Sequence, residues 1–281
     1  MRSLVFILLL FLVLDSAAQI THPKASPFAL VEQEVGLSKI TVQYSRPAVN
    51  GRAVFGHLVP YGRIWRVGAN ESTKITLDSD IKVLGNSLAK GTYALYAFPN
   101  EDAWEIVFHN NTAHWGDGRT AYDPAEDALR VTVIPEKITH FQENFLITFD
   151  NVTHNSLDMI LTWENTKIVV PLTVDTHSAM LREINKQVQE NPTAQTYYET
   201  ARYYQEQGIQ YPLALNYLNK AIALGGDTYY FHRVKSLVEA AMGDYKAAVA
   251  SAQKSMELAA KEGKDEFVRM NEENIINWRK N

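Results

Sequence analysis

Arg63-Ile64-Trp65-Arg66-Val67-Gly68-Ala69-Asn70-Glu71 gathers two guanidiniums, an indole, an amide and a carboxylate into nine residues. In a strand over residues 63–67, Ile64 and Arg66 would point one way and Arg63, Trp65 and Val67 the other. Whichever face meets a core then carries an arginine. A guanidinium there needs a carboxylate, a fan of carbonyls or an anionic ligand, because an unpaired buried charge costs several kcal/mol. The competing arrangement places the arginine at a strand end, reaching water along its own stem. Gly68 can turn the chain so that Asn70 and Glu71 come back toward Arg66, giving one electrostatic site that is paired directly or bridged by a ligand. With Arg46 and Arg52 upstream, the expected binding site is Arg46, Arg52, Arg63, Trp65, Arg66, Asn70 and Glu71. Arginines at this density suit carboxylate, phosphate or acidic-sugar groups, which they grip with two parallel hydrogen bonds.

Other chemistry is more weakly signalled. His109 and His114 flank Asn110-Asn111-Thr112-Ala113, with Trp115-Gly116-Asp117 after them, and His57 follows Gly56. Two metal ligands on a loop are conceivable, but the spacing matches no zinc signature and no third ligand is fixed by sequence, so neither metal nor cofactor is expected. No Gly-x-Ser-x-Gly elbow and no phosphate loop is present. Carboxylate pairs for glycoside hydrolysis could be drawn from Glu71, Glu105, Glu164 or Asp117, as in any acidic domain. Trp104 and Trp163 sit among alternating neighbours and read as core. Trp115, among Gly and Asp in a loop, reads equally as core or as a sugar platform.

The 281 residues contain no cysteine, which removes disulfides, thiol catalysis and thiolate metal sites. A net charge of -5 without a basic block argues against nucleic acid and against electrostatic membrane binding. Met1-Arg2, the apolar run Leu4 to Leu14 and the small residues Ser16-Ala17-Ala18 read as a signal peptide over residues 1–18. The run is short for a bilayer and lacks stop-transfer charges, so the expectation is export to the periplasm or beyond, with no stable membrane span.

The elements that must position these residues fall into two domains. Between Phe28 and Val174, alternation marks short strands at Ile40–Tyr44, Lys74–Leu77, Trp104–Phe108, Leu129–Val133, Phe145–Phe149, Met159–Trp163 and Ile168–Val174. Turn signals such as Asn50-Gly51 and Lys90-Gly91 separate them, which favours an antiparallel sandwich or jelly roll over residues 19–176. Residues 177–281 change to helical spacing, making the chain an α+β multidomain protein. Tyr211 and Tyr245, Ala214 and Ala248, Leu218 and Ala252, Ala221 and Ser255, and Leu224 and Leu258 are each 34 apart. That is the period of a tetratricopeptide repeat, and residues 193–260 resemble two such units with helices before and behind as caps. Lys235, Ser236 and Ser255 depart from the usual apolar and small choices.

Tyr44-Ser45-Arg46-Pro47, Gly51-Arg52, Phe55-Gly56, Val59-Pro60-Tyr61-Gly62, Ile64 to Glu71, Gly91-Thr92-Tyr93-Ala94-Leu95-Tyr96 and Trp104 to Phe108 together resemble an exported bacterial family. It is filed among the domains of unknown function as family 2911, often with tetratricopeptide-like helices behind it. The resemblance covers about residues 26–175 and implies a β domain and secretion, with no established activity. The functional expectation is an exported protein that binds an anionic small molecule or envelope component on its β domain and a protein partner through its helices. Two alternatives stand beside it: an envelope- or glycan-directed hydrolase using Glu71, and a structural envelope protein whose arginines are internal glue.

Overall fold

The computed structural model describes residues 22–116 and 120–280. The signal-peptide reading of residues 1–18 and the carboxylate of Asp117 therefore lie outside the described residues. The chain divides into two compact units at Asp175–Thr176.

The first unit is built from β1 (Phe28–Val35), β2 (Ser38–Ser45), β3 (Thr73–Leu77), β4 (Ile81–Val83) and β5 (Asn86–Leu88). It continues with β6 (Gly91–Phe98), β7 (Trp104–His109), β8 (Asp127–Val133), β9 (Glu136–Asp150) and β10 (Ser156–Val174). Two antiparallel sheets result, one ordered β1-β2-β3-β6-β7-β8 and the other β5-β4-β10-β9. Alternation explains the pairing of their faces. Ile40, Val42, Ile75, Leu95, Ile106 and Phe108 of the larger sheet share one buried core with Phe145, Ile147, Met159, Leu161 and Trp163 of the smaller. At its centre Trp65 stacks on Trp163 with ring centroids 5.9 Å apart and meets Phe145 at 5.1 Å and Trp104 at 6.0 Å.

Two local expectations change. The last two strands read from sequence form one 19-residue strand, β10, because β9 keeps pairing with it beyond Trp163 through register shifts at Glu164. Glu164 takes φ 50, so the bend is made inside the strand and not by a turn. Residues 63–67 form no strand. Only Trp65 bridges Ala97, and Val67 at φ 51 and Gly68 at φ 148 end the extended path. Gly68 is required sterically as well: a Cβ there would lie 2.9 Å from the Ser45 carbonyl oxygen.

The larger sheet also buries part of its outer face. Ala94 and Tyr96 of β6 and Val107 of β7 pack with Ile64, under Phe98 and Tyr122. This small outer cluster supports the loop between β7 and β8.

The second unit contains α1 (Thr176–Glu190), α2 (Ala194–Glu206), α3 (Tyr211–Ala223), α4 (Tyr229–Ala241), α5 (Tyr245–Lys261) and α6 (Asp265–Trp278). Thr193 and Asp244 cap α2 and α5 by accepting from Thr196 N and Ala247 N. Six of the positions spaced by 34 residues, Ala214, Leu218 and Ala221 in α3 and Ala248, Ala252 and Ser255 in α5, are buried. Ser255 departs from alanine for a physical reason: its hydroxyl donates to Tyr229 O at 2.6 Å and accepts from buried Asn271 at 2.8 Å. Asn271 in turn accepts from Arg233 at 3.1 Å, so this polar chain links α4, α5 and α6. Gly226 lets the α3–α4 turn close, because a Cβ there would sit 2.1 Å from the Phe231 ring. Among the described residues no helix is long and apolar enough to cross a membrane.

Candidate functional site

The structure disperses the arginine set. Arg46 donates from Nε to Phe145 O at 2.9 Å. Arg52 donates to Val49 O at 2.9 Å and to Ala48 O at 2.6 Å. Both guanidiniums clamp main-chain carbonyls in the first unit. Arg63 is exposed and Arg66 half-buried. Trp65 requires a correction, since it is 5 % exposed, lies inside the sandwich core, and donates its indole N–H to Gly68 O at 3.1 Å. An indole enclosed on all sides has no face left for a ligand.

Asn70 and Glu71 remain near the surface. Asn70, at φ 61, donates to Ser26 O and Ser45 Oγ, both at 3.1 Å. Its amide ties the segment just before β1 to the end of β2. Glu71 turns outward and accepts from Lys74 Nζ at 2.9 Å, and that lysine holds its carboxyl below the ordinary glutamate value. The backbone of Glu71 bridges Trp115. A groove of about 220 Å³ opens here, lined by Asn70, Glu71, Lys74, Lys24, Phe28 and Trp115 among others. Trp115 is 74 % exposed and Phe28 60 %. For Trp115 the fold therefore selects a surface position over a core one.

One residue earlier, the same loop takes part in a different cluster. His109, at the end of β7, is fully buried. A register shift between Phe108 and His109 sets it opposite Asp127, whose Oδ1 is 3.0 Å from its Nδ1. An ionised carboxylate only accepts, so His109 donates from Nδ1, and Nε2 is the ring atom turned toward Glu126. That Nε2 makes no hydrogen bond and lies 3.3 Å from Glu126 Oε2. Glu126 ends the short 3-10 turn Pro124–Glu126, capped by Asp123, and Asn111 donates to the same Oε2 at 3.3 Å. His114 brings its ring to the cluster, with Nδ1 3.2 Å from the Tyr96 hydroxyl. One nitrogen or oxygen from each of His109, His114 and Glu126 lies within 4.8 Å of the others.

A second layer holds this arrangement. The Tyr122 hydroxyl donates to Asp127 at 2.8 Å, and Arg130 donates to Asp127 at 2.9 Å, to Tyr122 at 2.6 Å and to Glu105 at 2.8 Å. Arg130 also lies over the Phe98 ring, 4.8 Å from its centroid. Burial, reinforced by Asp127, raises the Tyr122 hydroxyl well above its ordinary value, so it stays a donor.

Residues 26–172, just over half of the chain, match a protein family described as "Protein of unknown function (DUF2911)". The chain belongs to the DUF2911 family. No curated protein and no solved structure matches it. In this DUF2911 protein the matched region contains the histidine cluster and the groove lining apart from Lys24, and it ends before the helical unit begins. His109 and His114 stand out in the sequence as a pair without a third ligand, because Glu126 stands twelve residues beyond His114. Only the pairing of β7 with β8 brings it back.

Proposed function

We propose that this DUF2911 protein is an exported ligand-binding protein whose β unit takes an acidic sugar or similar small anion in the groove between Asn70-Glu71 and Trp115. The exposure of Trp115, at 74 %, is the observation that carries this reading. An indole left in water beside a second exposed ring, Phe28, offers the flat apolar surface on which a sugar face stacks. Lys24 and Lys74 bring positive charge to the same groove, and the Glu71 carboxylate can accept from hydroxyls. Lys74, donating to Glu71 at 2.9 Å, favours its ionised form, which suits accepting from a ligand better than handing over a proton. The signal-like residues 1–18 support export to the periplasm or beyond. The 34-residue spacing of buried positions in α3 and α5 supports a tetratricopeptide-like role for the helical unit as a surface for a protein partner.

Titrating the protein with uronic-acid oligosaccharides and their neutral counterparts, by calorimetry and tryptophan fluorescence, tests the reading. Saturable binding is expected, weakened about tenfold or more by Trp115→Ala, which corresponds to about 1.4 kcal/mol. Lys74→Met is expected to weaken the acidic ligand more than the neutral one. Binding that Trp115→Ala leaves unchanged would place the ligand elsewhere, and no saturable binding by any of them would remove the acidic-sugar assignment.

A further inference from the structure

We infer that His109, His114 and Glu126 form a binding site for a divalent transition-metal ion, separate from the groove and independent of what the groove binds. Two imidazole nitrogens and one carboxylate oxygen make a donor set suited to zinc and its neighbours in the first transition row.

The His109 ring is already turned for the task. The Nδ1 of His109 is held by Asp127 and the Nδ1 of His114 faces the Tyr96 hydroxyl, which leaves Nε2 of each ring as the atom to bind an ion. A carboxylate behind a ligating imidazole is the usual outer partner of such a ligand: it fixes the tautomer and raises the basicity of the nitrogen that faces the metal. Here that carboxylate is itself fixed by Tyr122 and Arg130.

The spacing also fits. Ligands at about 2.0–2.1 Å in a tetrahedral arrangement stand about 3.3–3.4 Å apart. His109 Nε2 and Glu126 Oε2 are at 3.3 Å. One nitrogen or oxygen from each of the three residues lies within 4.8 Å of the others, so a small swing of the half-exposed His114 closes the set.

The strongest pointer is the buried nitrogen. His109 is fully enclosed, yet its Nε2 makes no hydrogen bond and is aimed at a carboxylate oxygen. A buried polar atom left without a partner is normally costly, and a cation between Nε2 and Oε2 would satisfy both. The rival arrangement is a charged imidazolium gripped by Asp127 and Glu126. Three protein donors leave at least one coordination position for water or an outside ligand, and the Glu126 side chain, 43 % exposed, marks a side that solvent reaches. An ion here would tie the end of β7, the loop carrying His114 and the turn before β8 into one piece.

The test uses the whole protein, stripped with a chelator and titrated with Zn(II) against a chromophoric competitor and with Co(II) by absorption. One ion per chain is expected, with Co(II) ligand-field bands of four- or five-coordinate intensity. His114→Ala and Glu126→Gln are each expected to weaken binding at least about 100-fold while their metal-free melting curves overlay the parent's. Asp127→Asn is expected to weaken it about 10- to 100-fold as a positioning change, with the cobalt spectrum retained. His140→Ala, on the exposed part of β9, should change nothing. Histidine-selective NMR of the parent needs no variant, and Zn(II) should move the ring signals of His109 and His114. Absence of one-to-one binding, binding that survives both His114→Ala and Glu126→Gln, or zinc shifts confined to other histidines would each overturn the assignment and leave the imidazolium pair in its place.

Discussion

Two segments of the β unit, Arg63–Glu71 and His109–Asp127, carry comparable amounts of polar chemistry and are used in opposite ways. In the first, Ile64 enters the outer cluster of the larger sheet while its neighbour Trp65 enters the sandwich core. The indole N–H then closes on Gly68 O, and Glu71 turns out to Lys74. In the second, His109 is just as buried, but its inward nitrogen meets a carboxylate and a second histidine instead of a carbonyl. The difference teaches that charge density alone does not mark a site. What marks it is a buried polar atom whose partner the backbone does not supply.

Four substitutions would break or sharpen this contrast. The largest effect is expected from Trp65→Ala, which removes the ring between Trp163, Trp104 and Phe145 and should cost about 3–5 kcal/mol in urea unfolding. A variant that kept its stability and lost ligand affinity would return Trp65 to the binding site. Gly68→Ala should cost up to about 3 kcal/mol, since it forces a side chain into φ 148 against the Ser45 carbonyl. Loss of the indole-to-carbonyl bond would show as a shifted tryptophan emission in the same sample.

In the helical unit, Ala248 is fully buried in α5, and Ala248→Leu should cost about 1–3 kcal/mol by overpacking. Combined with Trp65→Ala its effect should be additive if the two compact units are energetically independent, and a coupling above about 0.5 kcal/mol would deny that independence. The smallest effect is expected from Glu71→Gln, an exposed partner of Lys74, at no more than about 0.5 kcal/mol. Its sign with pH follows from the lowered carboxyl. The contribution is present above the ordinary glutamate value and fades as pH falls through the lower folded value, so parent and Glu71→Gln stabilities should converge in acid. A large loss at neutral pH would mean that Glu71 is part of a shielded site.

The sequence by itself determined whatever depends on neighbours along the chain. Alternation at Ile40–Tyr44, Trp104–Phe108 and Phe145–Phe149 marked strands of an antiparallel sandwich. Six of the ten positions spaced by 34 residues are buried in α3 and α5, whereas Leu224 is exposed, and Trp104 and Trp163 were legible as core. Tertiary structure decided what depends on pairing across the sheet. Alternation could not show that the outer face of β6 and β7 is also covered, nor that Arg46 and Arg52 would find carbonyls of Phe145, Ala48 and Val49. Nor could it place Glu126 and Asp127 around His109. A strand constrains its own side chains through local geometry, whereas a three-residue constellation also depends on the register between strands, and here one irregularity at Phe108–His109 sets which carboxylates the buried imidazole meets.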